Sequence, residues 1–374
     1  MLVEATRSAL RSAKRAVYPL ASKLITNTVL VEGHLKGTEQ PFRTLFVHNC
    51  LFNAALMARM YAQPPTVLAR KRIGIATLGT VVRARQGHFD LCVAVVPKLY
   101  DPMFGPLCAY RGQEEVRQVI DTSGTWEDVR ARFSRKKRQL TNHFGERYGL
   151  TYRISHAEED FDFFYHRMHV PHIRRRYGDL SEMDSHAAMR GFFRKGFVLF
   201  VLRDGEPVAG ALSLVEDNAI LFRRSGVLDG DESLVKGGVQ TALYYFQLRH
   251  AVHSGYQSVD TMKSAPFLND GVFCHKADWG ARAMPDHEAR QSVLYFVPEP
   301  DARTVRFFEI NPAVVCEGKG LSGVAGDPSE GAGAVSDQST LAKRFQVAGL
   351  DHFTSLTLGA GGQVDLHHPI ALTG

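Results

Sequence analysis

The chain has 374 residues, 44% of them hydrophobic and 22% charged, with a net charge of +6. Those proportions exclude a disordered tail, a collagen-like chain and a coiled-coil rod, and they allow two domains with sizeable cores. No apolar run approaches the roughly 18 residues of a membrane span, and the beginning of the chain lacks the uninterrupted apolar stretch of a signal peptide. The expected location is therefore the cytoplasm.

Residues 1–26 hold five cations against one acid. Leu2, Ala9, Leu10, Ala13, Ala16, Val17, Leu20 and Leu24 fall on one stripe at helical period, with Arg7, Arg11, Lys14 and Arg15 nearly opposite. A cationic face opposite an apolar stripe suits a helix lying on an anionic membrane surface, which would make the protein peripheral on the inner membrane. The alternative is a helix packed on its own domain with a solvated back.

Residues 28–125 alternate short apolar runs (44–47, 67–70, 74–83, 89–96, 107–110) with breaks and a helix over 51–61, the pattern of a mixed α/β unit. Residues 125–149 carry seven cations against three acids, which leaves the chain outside the two basic segments net acidic. The basicity is regional and predicts local anionic partners, not a general nucleic-acid coat. One long basic helix is expected over 126–148, closed by Gly149 and followed by a strand over 150–155.

The second half has the clearest pattern. Helices over 158–168 and 183–194 precede strands over 197–203, 208–215 and 219–227, divided by the turns Asp204-Gly205-Glu206-Pro207 and Asp217-Asn218. A helix over 234–254, a strand over 257–262, a short helix within 268–279 and a strand over 292–297 complete the order ααβββαβαβ, whose meander pairs antiparallel. Residues 320–337, rich in Gly, Ala, Ser and Asp, are expected to be a flexible linker, and 338–374 a tail with no evident chemistry.

Three stretches concentrate chemistry. Val235-Lys236-Gly237-Gly238-Val239-Gln240 opens the long helix after a strand ending in Ser225-Gly226-Val227; paired glycines, the helix dipole and a lysine there outline a pyrophosphate cradle. Neither a P-loop nor a G-x-G-x-x-G sequence is present. The stretch from Lys263 to Gly280 gathers Asn269, Asp270, His275 and Lys276 just after a strand, where an amine proton can be taken and an anion held, against the plainer reading of a turn followed by an amphipathic helix. The stretch from Phe164 to Asp179 contains His166, His169 and His172 at spacings of three, but Pro171 interrupts the helix that would align them as metal ligands. Its arginine triplet is better suited to anion binding. The five cysteines are scattered, form no C-x-x-C pair and are expected to be buried thiols; a G-x-S-x-G nucleophile elbow is absent.

Taken together, "FYHRMHVPHIRRRYGD", "GEPVAGALSL", "LFRRSGVLDGD", "LVKGGVQTALYYFQLRHAVHSGY" and "LNDGVFCHKADWGA" resemble the FemAB-like branch of the GNAT acyltransferase superfamily. The resemblance covers residues 130–297. It implies a mixed α/β, tandem GNAT-like fold whose first half, 28–125, is degenerate and whose second, 126–300, is the acyltransferase domain. It further implies transfer of an acyl group from acyl-CoA, a co-substrate and not a permanently bound cofactor, to a primary amine. On that basis Lys236, Gly237, Gly238 and Gln240 take the CoA pyrophosphate, and backbone N–H groups at a strand break near Gly226 and Val227 face the oxyanion. Asp270 accepts the amine proton, with His275 second and Lys276 holding an anion or orienting. Tyr165, His169, Arg176, Tyr177 and Asn269 face the acceptor. No metal or DNA is implied, and the lack of an inserted two-helix arm argues against tRNA. The basic amphipathic start of the chain favours a lipid-type amine, and in overall likeness the chain is similar to bacterial ceramide synthases, which acylate a sphingoid amine. A peptidoglycan or exopolysaccharide acyl- or aminoacyltransferase, or a non-catalytic membrane-surface scaffold, are the alternatives.

Overall fold

The computed structural model describes residues 25–84, 87–142, 144, 149–178, 184–327, 338–358, 364–366 and 369–372. The basic amphipathic segment expected over residues 1–26 therefore lies almost wholly outside the described residues. The chain divides into two compact units, one made of Met1–Val116, Ala265–Asp270 and Pro285–Gly374, the other of Arg117–Ser264 and Gly271–Met284.

The first unit contains two sheets. Six strands lie in the order Thr66–Gly74, Ile25–His34, Pro41–Val47, Leu91–Pro97, Gln291–Phe296 and Tyr110–Gly112. Leu91–Pro97 is an almost unbroken apolar run, buried along its length, as a central strand covered on both faces must be. Gln291–Phe296, expected to end the acyltransferase half, instead pairs antiparallel with Leu91–Pro97 in this sheet.

The second sheet contains Ala313–Glu317, Gly320–Asp327 and Leu350–Leu358. Gly320–Asp327 corrects the linker expected over 320–337: it is a buried strand, paired on both sides. Its small residues answer a packing demand. A Cβ at Gly326 would stand 1.9 Å from the carbonyl oxygen of Val305, and one at Gly323 would stand 2.8 Å from the Phe353 ring. Glycine is therefore there for close approach, and the composition of a linker and of a tightly covered strand coincide. Residues 328–337 lie outside the described residues. The expected tail contains the strand Leu350–Leu358, whose Phe353 is fully buried.

The second unit is built on one sheet. In chain order its strands are β1 (Val116–Asp121), β2 (Leu150–Ser155), β3 (Gly196–Arg203), β4 (Glu206–Glu216), β5 (Ala219–Val227), β6 (Ser258–Ser264) and β7 (Arg282–Met284). They lie side by side in the order β7-β1-β6-β5-β4-β3-β2. The β3–β4–β5 meander is antiparallel, and its turns place Asp204, Gly205, Asp217 and Asn218 at positive φ, the conformation those residue types tolerate. β5 and β6 are parallel neighbours. The helix α7 (Val239–His253) connects them, and its Val239, Ala242, Leu243, Phe246 and Leu248 enter the core with Phe197, Leu199 and Trp279.

The helices of this unit correct three expectations. The long basic helix is two short ones, α1 (Trp126–Ala131) and α2 (Arg135–Thr141), because Ser134 caps the second by accepting from the Lys137 N–H. Beyond α3 (Glu158–Phe163) the chain makes a π-helical turn, Phe164–His169, and runs straight on into α4 (Val170–Tyr177). Pro171 therefore does not break the helix; it sits in the first turn of α4, where its missing N–H is tolerated. After α5 (His186–Phe193), the expected helix over 234–254 is divided at Gly237 and Gly238 into α6 (Glu232–Lys236) and α7.

Candidate active site

The chemistry-bearing residues of the second unit collect where β5 and β6 separate. Their parallel pairing joins Ala219 to Ser258, Ile220 to Val259 and Leu221 to Asp260, and beyond those pairs both strands continue, to Val227 and Ser264, without pairing to each other. At the same level the β4–β5 register shifts between Phe222 and Arg224 and leaves Arg223 as an extra residue opposite none on β4. A bulge frees backbone groups and re-aims side chains at the edge of a cleft.

This corrects the strand break expected at Gly226 and Val227. Gly226 is regularly paired with Gly210, and Val227 is a fully buried core residue. Gly226 is small because the π-helical turn lies directly on it: an added Cβ would stand 2.5 Å from the carbonyl carbon of Met168 and 2.6 Å from the nitrogen of His169.

On β6, Asp260 is 3% exposed, forms an ion pair with Arg117 of β1, and accepts from the Met262 N–H at 2.7 Å. Met262 takes φ = +65°, an uncommon conformation for a non-glycine residue and a strained one inside a strand. Lys276, on α8 (Gly271–Ala277), is buried and donates from Nζ to the carbonyl oxygens of Met262 at 3.1 Å and Lys263 at 2.9 Å. It thereby holds the backbone of β6 at these two residues.

His275 is half-buried in an aromatic box. Trp279 Nε1 donates to its Nε2 at 3.3 Å, Lys137 Nζ lies 3.4 Å from its Nδ1, and the Tyr244 ring centroid is 4.9 Å away. Burial, and after it the Lys137 charge, push this imidazole down to about 4. Burial likewise lowers Lys137 itself and raises the Tyr244 hydroxyl. A neutral imidazole accepts at one nitrogen only, so with Trp279 donating to Nε2 the Nδ1 carries the hydrogen and stands beside Lys137 without accepting from it.

At the other end of β5, Gly238 caps α7 at φ = +84° with open space where a side chain would stand. The first-turn N–H groups that follow have no intrahelical acceptor, as at any helix start. Lys236 ends α6, and Gly237 closes it under the Ser233 carbonyl. Gln240 Nε2 donates to His172 Nε2 at 2.9 Å, and His169 donates from Nδ1 to the Ser225 carbonyl at 3.0 Å, which fixes both tautomers. Burial holds both imidazoles below their ordinary value, with Arg176 adding to the effect at His172. His172 beside Gln240 was legible only as part of a histidine run. Tyr165 stacks edge-on against His186 and donates its hydroxyl to the Asp184 carbonyl at 3.4 Å. Arg176 lies in the last turn of α4. Tyr177 ends that helix, and its side chain lies outside the described residues.

Asn269 and Asp270 fall in the first unit. Arg59 Nη1 lies 3.8 Å from Asp270 Oδ2, its Nη2 donates to Asn269 Oδ1, and its guanidinium stands 4.7 Å over the Phe267 ring. Asn269 also donates to the Ile310 carbonyl at 2.9 Å. The sequence contained no signal for Arg59, which is 211 positions away from Asp270 in a helix with ordinary patterning. Among the described residues no group of three or more His, Cys, Asp or Glu side chains is arranged to hold a metal ion. Of the cysteines, expected to be buried, Cys274 is exposed.

Residues 128–267 match the family model described as an acetyltransferase (GNAT) domain. The matched segment contains β2 to β6, the bulge and the whole of α7. The fold is a mixed α/β fold with a GNAT domain, and the enzyme is an acyltransferase of GNAT type. Acyl-CoA is the co-substrate that such domains use. No curated protein matches the chain. Among solved structures it is similar to L-PGS from Bacillus licheniformis (13% identity, TM-score 0.36, covering 72% of this chain and 85% of that one). It is also similar to FemX (9% identity, TM-score 0.38, covering 71% and 83%). A third is the C-terminal domain of a putative lysylphosphatidylglycerol synthetase from Agrobacterium fabrum (12% identity, TM-score 0.35, covering 72% and 80%).

Proposed function

We propose that the protein transfers a long-chain acyl group from acyl-CoA to the primary amine of a lipid-type acceptor, within the FemAB-like branch that its motifs resemble. The observation that carries the reading is the bulge at Arg223 beside the separation of β5 from β6, inside the segment matched to the GNAT domain. An extended thioester fits such a gap, with its diphosphate at the N-terminus of α7 near Lys236, Gly238 and Gln240 and its carbonyl oxygen at backbone N–H groups of the bulge.

The neutral amine attacks the thioester carbon, the C–N bond forms and the C–S bond breaks. The surplus amine proton passes to a general base, for which Asp270 is the residue the motif resemblance implies, and the CoA thiolate leaves and takes a proton from solvent. His275 is the second candidate for the acceptor role. Lys276 is a positioning residue that holds β6 through Met262 and Lys263.

Support for an apolar substrate comes from the cationic amphipathic sequence of residues 1–26 and from a groove of ≈ 500 Å³ in the first unit, lined by Val29, Val31, Phe46, Met57 and Tyr61. That volume and lining suit an alkyl chain. No helix among the described residues is long and apolar enough to cross a membrane. A sphingoid amine is the acceptor the overall likeness favours. The test is purified protein with palmitoyl-CoA and either a sphingoid base or an amino sugar, read by thiol release. Release with the sphingoid base supports the lipid reading, release with the amino sugar alone moves the acceptor to the cell-wall class, and no release with any amine rejects acyl transfer from CoA.

A further inference from the structure

The geometry points to Arg223 as the residue that selects the acceptor, by pairing its guanidinium with an anionic group, a carboxylate or a phosphate ester, carried close to the reacting amine. This rests on the acyl-transfer reading above but not on its sphingoid acceptor, since an unmodified sphingoid base carries no anionic group and would be a poor substrate for such a site.

Arg223 is the extra residue of the β5 bulge, at the level where β5 leaves β6. Its side chain spans that opening: Nη1 reaches the thioether sulfur of Met262 on β6, 3.8 Å away, and the guanidinium stacks over the Phe192 ring at 4.5 Å. A thioether is a weak acceptor and a phenyl face a diffuse one. Among the described residues its buried Nε has no hydrogen-bond partner. The neighbouring acids are committed elsewhere, Asp184 to Arg224 and Asp260 to Arg117.

A guanidinium presents five donors in a planar fork that matches two oxygens of a carboxylate or phosphate, and a half-buried one with no anion beside it among the described residues draws its countercharge from what binds there. Phe192 and Met262 hold the fork in place without neutralising it. An amine attacking a carbonyl held at the bulge must approach to about 3–3.5 Å, so a group bound to the Arg223 side chain is separated from that amine by a short linker. The substrate class is therefore a primary amine bearing an anionic oxygen group a few bonds away.

The test uses the full chain with decanoyl-CoA and two matched pairs of acceptors, O-phosphoethanolamine against ethanolamine and β-alanine against propylamine, read by thiol release. The expected result is a kcat/KM preference of about 30-fold or more for the anionic member of one pair, and the pair that shows it identifies phosphate or carboxylate as the group bound. In Arg223→Met that ratio falls to near unity, and in Arg223→Lys part of it survives, since a lysine keeps the charge and loses the fork. A second measurement needs no variant: inorganic phosphate should compete with the acceptor that carries the anionic group and not with the partner that lacks it. Equal use of both members of each pair, or an Arg223→Met enzyme with the wild-type ratio, overturns the proposal. Should no amine release thiol, the acyl-transfer reading fails, and calorimetric titration with O-phosphoethanolamine decides the remainder. Binding by the wild type and not by Arg223→Met retains the anion site, and no binding removes it.

Discussion

Trp279 Nε1 donates to Nε2 of His275 at 3.3 Å, so the imidazole is held inside a box of aromatic rings with its second nitrogen beside Lys137. Unfolded, this histidine takes its proton near the ordinary 6.5; folded, it does so only near 4. Between those values the unfolded chain binds more protons than the folded one, so stability is fully present above 6.5 and is lost as the pH falls toward 4. Burial shifts His169, His172 and His250 in the same direction. The melting temperature of the wild type should therefore decline on acidification from pH 6.5, and that of His275→Gln should decline less steeply over the same window. Parallel curves would take His275 out of the acid response.

Asp270 and Arg59 offer a cleaner test of the chemistry. Their side chains are 23% and 24% exposed and 3.8 Å apart, a partly solvated pair of about 1 kcal/mol at most. Asp270→Asn should thus lower the melting temperature by only about 2–4 °C. The same change should remove turnover if the carboxylate accepts the amine proton. A folded variant with normal thiol release would remove Asp270 from the chemistry.

Gly226 and Gly238 separate packing from binding. An alanine at Gly226 meets the backbone of the π-helical turn at 2.5 Å, which cannot yield without moving Met168 and His169. Gly226→Ala should cost about 1–3 kcal/mol of stability. Gly238→Ala meets no atom but must adopt φ = +84°, at about 1–2 kcal/mol. Only the second is expected to raise the KM for acyl-CoA, because it perturbs the start of α7. Unchanged KM in Gly238→Ala would move the diphosphate away from this helix.

The segment ahead of Ile25 is tested by removal. Deleting residues 1–20 takes away four of the five cations and most of the apolar stripe. Co-sedimentation with phosphatidylglycerol vesicles should then be lost, and in the intact protein it should weaken as salt is raised. Equal sedimentation of both forms would reject a membrane role for this segment.

The meander was legible because its signals are local. β3, β4 and β5 alternate or run apolar between Asp-Gly and Asp-Asn turns, and the strand expected over 219–227 is the one observed. Gly320–Asp327 was not legible, since nothing in its own composition reveals the helix Ala302–Ile310 pressing on it. The same holds for Gln291–Phe296, which joins the sheet of the first unit through pairing with residues almost 200 positions earlier. At the site, the paired glycines before α7 and the Asn-Asp-Gly stretch stood out as residue types, whereas the partners that give them meaning did not. Arg59 for Asp270, Lys137 for His275 and His172 for Gln240 are all separated from them by more than 60 positions.

By itself the amino-acid sequence determined the periodicities, the turns and the residue types capable of handling a thioester and an amine, because each depends on neighbours within a few positions. Which strand bulges, where β5 parts from β6, and that Arg223 spans the gap toward Met262 were decided by the tertiary structure. Those features follow from register and packing between segments far apart in the chain, and no local pattern encodes them.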